Sequence, residues 1–349
     1  MTESALPTGD LAGMHPAYFA LVMATGIVSL ACELLGLHPM AVVLFGLNLG
    51  FYPLLWTLLF ARIIRYPERV RADLLHHARA VGFFTIVAAT CVLGSQCLVV
   101  GGSFTLALVL WFVGIGLWAV LIYGVFAILT VKTDKPSLAD GINGGWLISV
   151  VAAQSVSVLG AQLAPNLGAH AEQALVFSLA MWLGGGMLYL WIISLIFYRY
   201  TFFTMSPSDL APPYWINMGA AAISTLAGTM LVAAAPHSPA LQEILPFVRG
   251  FTWMWWATAT WWIPMLVILG VWRHVVRRFP LRYDPLYWGA VFPLGMYTVC
   301  TFRLSQVVDA SFLGSIPRVF VYVAFGAWCL AAAGMAWHVF GRVARPSNR

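Results

Sequence analysis

Few residues of this sequence could carry metal or acid–base chemistry, and their spacing does not group them. The 349-residue chain has five cysteines and eight histidines, which form no CxxC pair, no HExxH motif and no mixed cysteine–histidine cluster. An enzyme site at a membrane face needs clustered His, Asp or Glu, and the chain offers only Asp73, His76 and His77. The sequence therefore predicts no enzyme, no metal site and no cofactor.

The composition indicates that lipid surrounds much of the chain. Hydrophobic residues make up 61% of it and charged residues 9%, against about 45–50% and about 25% in average proteins. A soluble domain this apolar would have too few polar groups to cover its surface. A bilayer removes that requirement, because lipid is then the solvent of the outward faces.

Ten segments are long and apolar enough to cross a bilayer, which takes about 20 residues. We predict helices over 15–35, 39–64, 80–100, 104–131, 142–163, 173–198, 213–235, 246–272, 285–304 and 316–340. The connections are too short to hold a soluble domain. The sequence thus predicts an all-α integral membrane protein with one ten-helix domain over 15–341, between cytoplasmic tails at 1–14 and 342–349.

The basic residues predict the orientation. Fifteen of the 18 Lys and Arg residues lie after the second, fourth, sixth and eighth helices or in the C-terminal tail. Because these residue types favour the cytoplasmic side of short loops, both termini are predicted to be cytoplasmic. If the source is bacterial, the inner membrane is the expected location. The same rule explains the net charge of +6, so we expect lipid and not nucleic acid around the chain.

The odd-numbered helices resemble one another, which indicates five helical hairpins. Each begins with an aromatic residue, namely Tyr18, Phe83, Trp146, Tyr214 and Tyr287, and in four of them small residues gather six to eight places later. Thirteen of the 16 tryptophans lie on the even-numbered helices. Tryptophan favours lipid-facing positions and interfaces, and small residues favour close packing or a pore wall. We expect an inner ring of odd-numbered helices, although small residues could also pack helices together without a pore.

An inner ring of this kind would attract anions. The five odd-numbered helices all start on the predicted cytoplasmic side, and each helix N-terminus carries about half a positive charge. Within the odd-numbered spans the charged residues are Glu33 and Arg303, both toward the outer ends. The scarcity of interior charge suggests weak binding and fast passage.

The ninth helix supplies a candidate gate. At the fifth position after the leading aromatic residue it carries Phe292, where the other four repeats carry Met23, Ala88, Val151 and Gly219. A single phenylalanine in a ring of smaller side chains could close a narrow pore by its bulk and by dewetting. Pro293 beside it would kink the helix and free a carbonyl. An ordinary packing role for Phe292 is the alternative.

Polar and small residues of the odd-numbered helices are candidates for the pore wall. Hydroxyl and amide donors suit a partly dehydrated anion, although serine and threonine also bond back to their own helix. The predicted lining set is Met23, Thr25, Gly26, Phe84, Thr85, Thr90, Val151, Gln154, Ser155, Asn217, Gly219, Ser224, Gly295 and Thr298.

Four segments resemble one family of membrane proteins: HPAYFALVMATGIVS (15–29), HHARAVGFFTIVAAT (76–90), PPYWINMGAAAIS (212–224) and YWGAVFPLGMYT (287–298). They are similar to the tellurite-resistance/dicarboxylate transporter family, which includes fungal malate permeases, sulfite efflux pumps and the slow-type anion channels of plants. The resemblance implies five hairpins in quasi-fivefold symmetry around a central pore, a homotrimer with one pore per protomer, and a phenylalanine on the ninth helix that occludes the pore. Relatives kink several inner helices with proline, whereas here Pro293 is the only mid-helix proline of the predicted inner helices.

Two modes of transport are compatible with the sequence. The first is a channel for a small anion, such as the four-carbon dicarboxylate malate or the oxyanions sulfite and tellurite, gated by Phe292. The second is a proton-coupled dicarboxylate symporter without open-channel activity, in which Glu33, His76 or His77 titrates. The near absence of mid-membrane carboxylates favours the channel.

Overall fold

The computed structural model describes residues 11–308 and 310–343, with side chains through residue 338. Within these residues every regular element is a helix and no strand occurs. Residues 1–10 and 344–349, which make up most of the two predicted tails, lie outside the described part of the chain.

Ten long helices run through the described residues. They are α1 (Ala20–Leu34), α2 (His38–Arg65), α3 (Phe84–Val99), α4 (Phe104–Val131), α5 (Ile148–Leu163), α6 (Ala171–Phe202), α7 (Ile216–Ala234), α8 (Leu245–Val271), α9 (Trp288–Val307) and α10 (Ser315–Val343). Nine of them, all except α9, belong to helical stretches whose length and composition suit a membrane span. The less apolar α9 is buried over much of its length, so other helices cover it.

Each odd-numbered helix is entered through one turn of 3₁₀ helix. These turns are Pro16–Phe19, Val81–Phe83, Gly144–Leu147, Pro212–Trp215 and Pro285–Tyr287. Three of the turns are capped by the side chain that precedes them. Nδ1 of His15 accepts from the Ala17 N–H at 3.0 Å, Asn143 caps the turn before α5, and Asp284 caps the turn before α9. These caps occupy N–H groups that an anion would otherwise meet.

The odd-numbered helices pack side by side in a closed circuit. Helix α1 contacts α3, α3 contacts α5, α5 contacts α7, α7 contacts α9, and α9 returns to α1. Each even-numbered helix packs against the odd-numbered helix before it. The inner circuit is buried, with Val87 and Val150 0% exposed, whereas Val120 of α4 and Leu330 of α10 are 71% and 79% exposed. An apolar outer surface of this kind suits contact with lipid.

The tryptophans of the even-numbered helices do not all face outward. Trp191 is 62% exposed, as expected of a lipid-facing position, but Trp182 is fully buried. The indole N–H of Trp182 donates to the Ser224 carbonyl at 2.8 Å, and that of Trp111 donates to the Val156 carbonyl at 3.0 Å. A buried indole N–H needs a partner, and these bonds tie outer helices to inner ones. The expectation of lipid-facing tryptophans therefore holds only in part.

Candidate functional site: two cavities inside the helical circuit

Two cavities lie inside the circuit, and all five odd-numbered helices contribute to both. They are named for the ends of these helices: the N-terminal cavity lies near the helix starts and the C-terminal cavity lies toward the helix ends. The N-terminal cavity is lined by Ala17, Ala20, Met23, Thr85, Ile148, Val151, Pro213, Ile216, Leu286, Gly289 and Phe292. The C-terminal cavity is lined by Ile27, Leu30, Leu34, Cys91, Val92, Ser95, Val99, Ser155, Val158, Gln162, Ile223, Leu226, Met296, Val299 and Arg303.

Both cavities are narrow. The volume available to the centre of a water molecule is about 20 Å³ in each. One water molecule needs about 10–15 Å³ on this measure, so each cavity holds one or two waters. An organic anion such as malate is much larger and does not fit without a change of conformation.

The lining residues recur at the same positions in all five repeats. Counted from the leading aromatic residue, the second position is in the N-terminal cavity in every helix: Ala20, Thr85, Ile148, Ile216 and Gly289. The ninth position is in the C-terminal cavity in every helix: Ile27, Val92, Ser155, Ile223 and Met296. So is the twelfth: Leu30, Ser95, Val158, Leu226 and Val299. Steps of three and four residues follow one face of a helix, so each helix turns the same face toward a common axis.

The layer between the cavities is the one at the fifth position. Its larger side chains, Met23, Val151 and Phe292, line the N-terminal cavity at the end nearest the ninth-position layer. Phe292 is the largest of them and is 1% exposed. The two cavities share no lining residue, so this layer separates them along the axis.

Four of the predicted lining residues line a cavity. Met23, Thr85 and Val151 belong to the N-terminal cavity, and Ser155 belongs to the C-terminal cavity. The other ten line neither cavity: Thr25, Gly26, Phe84, Thr90, Gln154, Asn217, Gly219, Ser224, Gly295 and Thr298.

Most of the polar residues among those ten contact outer helices instead. Thr25 accepts from the indole N–H of Trp328 at 3.0 Å. The Thr90 hydroxyl lies 2.9 Å from the hydroxyl of Tyr52. The amide of Gln154 donates to the Trp182 carbonyl. In the same way Asn217 donates to Tyr200, whereas Ser224 and Thr298 bond back to their own helices.

The remaining four residues of that group pack helix against helix. The ring of Phe84 lies 5.7 Å from that of Phe126 on α4. A side chain added at Gly26 would collide with Val92, and one at Gly295 would lie 2.8 Å from Ile27. One at Gly219 would lie 2.7 Å from Pro293, the residue predicted to kink α9. These glycines permit close approach of neighbouring inner helices.

The two cavities differ in polarity. In the N-terminal cavity the one polar side chain is that of Thr85, whose hydroxyl donates to the Gly82 carbonyl at 2.7 Å. The C-terminal cavity contains Ser95, Gln162 and Arg303, and Arg303 is the only charged residue that lines either cavity in the described part of the chain. Sequence reasoning assigned neither Ser95 nor Gln162 to a site. Continuing from the fifth position in helical steps would have found both.

The predicted titratable groups lie away from the cavities. Glu33 pairs with His38 at 2.7 Å near the end of α1, and neither His76 nor His77 lines a cavity. A second polar centre lies beside the start of α1, where the buried Asp73 pairs with Arg62 at 2.7 Å and also with Arg79.

His15 is next to this centre and is partly buried. Desolvation, followed by the charge of Arg79, lowers the pKa of His15 from 6.5 to about 3. The imidazole is therefore neutral at physiological pH and acts as a helix cap.

Comparison with known proteins identifies the class. The family model described as voltage-dependent anion channel matches residues 13–336 of this chain. The chain belongs to that family and is an integral membrane protein, which confirms the resemblance seen in the four segments.

Of three relatives, one matches about half of this chain and two match most of it. An uncharacterized membrane protein of Mycobacterium tuberculosis is 38% identical over 158 residues, which is 45% of this chain and 80% of the relative. A sulfite efflux pump of Trichophyton rubrum is 24% identical, covering 93% of this chain and 90% of the pump. The malic acid transport protein of Schizosaccharomyces pombe is 22% identical, covering 84% of this chain and 71% of that protein.

Proposed function

We propose that this protein conducts small anions across a membrane through a pore along the axis of the five odd-numbered helices. In this proposal all ten helices span the membrane as five hairpins in quasi-fivefold symmetry. The observation that carries it is the register of the lining, because all five helices supply the second, ninth and twelfth positions to one axis. A packed core without a pore would not need cavities at matching heights on both sides of one layer.

The substrate is a small anion. The family match supports the class, and relatives named for sulfite efflux and malic acid transport support two candidates. We therefore propose four-carbon dicarboxylates such as malate, or oxyanions such as sulfite or tellurite. Met23, Thr85, Val151 and Ser155 are the residues of the predicted lining that we retain for the pore wall.

Phe292 is the proposed gate, with Pro293 as the kink beside it. Phe292 is the largest side chain of the layer that separates the two cavities, and its neighbours in that layer include alanine and glycine. A small rotation of one ring could therefore join the cavities. A closed apolar layer also blocks ions by excluding water.

A channel fits the cavities better than a proton-coupled carrier. Coupling to protons needs a titratable group on the substrate path. Among the described residues, no carboxylate and no histidine lines either cavity. A dicarboxylate symporter without open-channel activity remains the alternative, and measuring flux with and without a pH gradient distinguishes it from a channel.

The surroundings of the pore complete the proposal. The exposed apolar faces of the even-numbered helices suit lipid or a second protomer, and the family resemblance suggests a homotrimer. The distribution of basic residues supports the proposal that both termini are cytoplasmic. If the source is bacterial, the proposed location is the inner membrane.

The test is anion flux into proteoliposomes, measured with and without a pH gradient for wild type and Phe292→Ala. Chloride, nitrate, sulfite and malate are compared. A channel gated by Phe292 gives flux that needs no pH gradient and rises several-fold in the variant. Malate uptake that requires a pH gradient in both proteins, with no uncoupled flux, would establish the symporter.

A further inference from the structure

The C-terminal cavity contains the polar side chains of Ser95, Gln162 and Arg303. Forming the wall of a pore does not by itself require such side chains. We propose that Arg303, together with Gln162 and Ser95, binds an oxygen-bearing anion, a carboxylate or an oxyanion, in preference to a halide. This inference rests on the proposed function and names the substrate-recognising group of the same pathway.

Arg303 is a positive charge without a counter-ion in the described structure. One of its guanidinium N–H groups donates to Oε1 of Gln306, one turn further along α9, at 3.2 Å. Among the described residues, no carboxylate lies within ion-pairing distance of Arg303, and the other residues of the cavity are neutral. A partly buried guanidinium with unused donors favours an anionic partner.

Gln162 is oriented by a neighbouring helix. The Ser95 hydroxyl on α3 donates to Oε1 of Gln162 on α5 at 2.7 Å. Because the oxygen of the amide is the acceptor in this bond, the NH₂ group is left with two N–H donors. No described residue accepts from them. Gln162 and Arg303 both line the C-terminal cavity, so two inner helices present donors to the same space.

The height of these residues places the site at the mouth of the cavity. Arg303 and Gln162 occupy the sixteenth position after their leading aromatic residues, four residues beyond the twelfth-position layer and far from Phe292. The deeper space is too small for more than one or two waters. An anion can meet Arg303 there before the Phe292 layer opens.

The chemistry of the donors defines the ligand class. A guanidinium presents parallel N–H groups in a planar fork, which matches two oxygens of a carboxylate or an oxyanion. A halide has no pair of oxygens to receive that fork and gains only from the charge. Lysine at the same position would keep the charge and lose the fork.

The experiment measures binding to the purified full-length protein in detergent, by calorimetry, with sodium sulfite, sodium malate and sodium chloride as ligands in a zwitterionic buffer. The variants are Arg303→Gln and Arg303→Lys. Arg318→Gln is the matched control, because Arg318 is exposed and lies in the first turn of α10, on the same predicted side of the membrane. Size-exclusion profiles establish that each variant is folded.

We expect wild type to bind sulfite or malate more tightly than chloride. Arg303→Gln should weaken oxyanion binding about tenfold or more, which corresponds to about 1.4 kcal/mol. Arg303→Lys should keep chloride binding and lose most of the preference, and Arg318→Gln should behave as wild type. The proposal is overturned if wild type binds neither sulfite nor malate, if Arg303→Gln binds them as wild type does, or if Arg318→Gln weakens binding equally.

The binding result stands apart from the transport result. Binding that depends on Arg303 supports the site even if no variant shows flux, in which case the pore is what fails. If flux rises in Phe292→Ala but anion binding is unchanged by substitution of Arg303, the proposed pore is supported and the proposed binding site is wrong.

Discussion

Pro293 of α9 packs directly against Gly219 of α7. A Cβ atom added to Gly219 would lie 2.7 Å from Cγ of Pro293 and 3.1 Å from its Cβ. Gly219 occupies the fifth position of its repeat, and Phe292, the neighbour of Pro293, occupies the fifth position of α9. The missing side chain at Gly219 therefore sets how close α9 and its phenylalanine come to the axis.

Replacing this glycine should disturb the layer that separates the cavities. We expect Gly219→Ala to lower stability by about 1–3 kcal/mol, because the rigid proline ring cannot move aside without shifting α9. Thermal unfolding in detergent measures this change. Gly116→Ala is the control, since Gly116 on α4 has open space around it and alanine is the better helix former. An equal loss of stability in both variants would show that the contact with Pro293 is unimportant.

The register of the lining predicts which of two adjacent residues faces the pore. Ile223 lines the C-terminal cavity, whereas the next residue, Ser224, bonds back to Ala220 and accepts from Trp182 at its carbonyl. In a Phe292→Ala protein without native cysteines, we expect a charged thiol reagent to inhibit flux through Ile223→Cys and not through Ser224→Cys. Inhibition of the Ser224→Cys protein alone would contradict this register, because the face of α7 that carries Ser224 would then line the pore.

The buried ion pairs beside α1 should contribute strongly to stability. The side chains of Arg62 and Asp73 are 2% and 7% exposed. Asp73→Asn removes the charge that both Arg62 and Arg79 pair with, so we expect a loss of about 3–5 kcal/mol. Asp140→Asn is the control, because Asp140 is exposed and makes a short-range contact to Ser137. A small effect at Asp73 would mean that water reaches the arginines.

His15 should make the fold sensitive to acid. Burial lowers the pKa of His15 to about 3, whereas the unfolded chain takes up this proton near pH 6.5. The stability from neutral His15 is therefore complete above about pH 6.5 and is lost as the pH falls toward 3.

The variant His15→Asn isolates this effect. Asparagine can accept the same N–H at the helix start but does not titrate. We expect its apparent Tm to fall less than that of wild type between about pH 6.5 and pH 4. Equal slopes for the two proteins would show that His15 is not the responsible group.

The sequence located the helices well because their length and apolarity are local properties. Each of the ten helices occupies one predicted segment, and the fifth-position layer chosen from the repeats includes Met23, Val151 and Phe292 at the inner end of a cavity. These features follow from the period of a helix and from the repeat.

The polar lining could not be predicted in the same way. Thr90 and Gln154 have the donors and acceptors that an anion pathway could use, but in the structure they bond to α2 and α6. A polar group inside a membrane protein must find a partner, and whether that partner is substrate or a neighbouring helix depends on which face it occupies. The face that a residue occupies can be assigned only by comparing the same position in all five helices. This comparison also adds Gln162 and Arg303 to the cavity lining.

The most direct test of the pore is the current carried by single proteins in a planar bilayer, comparing Phe292→Ala with Phe84→Ala. Both variants remove a buried phenylalanine from an inner helix, but Phe84 packs toward Phe126 and lines neither cavity. We predict a persistent anion current in Phe292→Ala and a current no larger than wild type in Phe84→Ala. Equal currents in the two variants, or none in Phe292→Ala, would contradict a pore closed by Phe292.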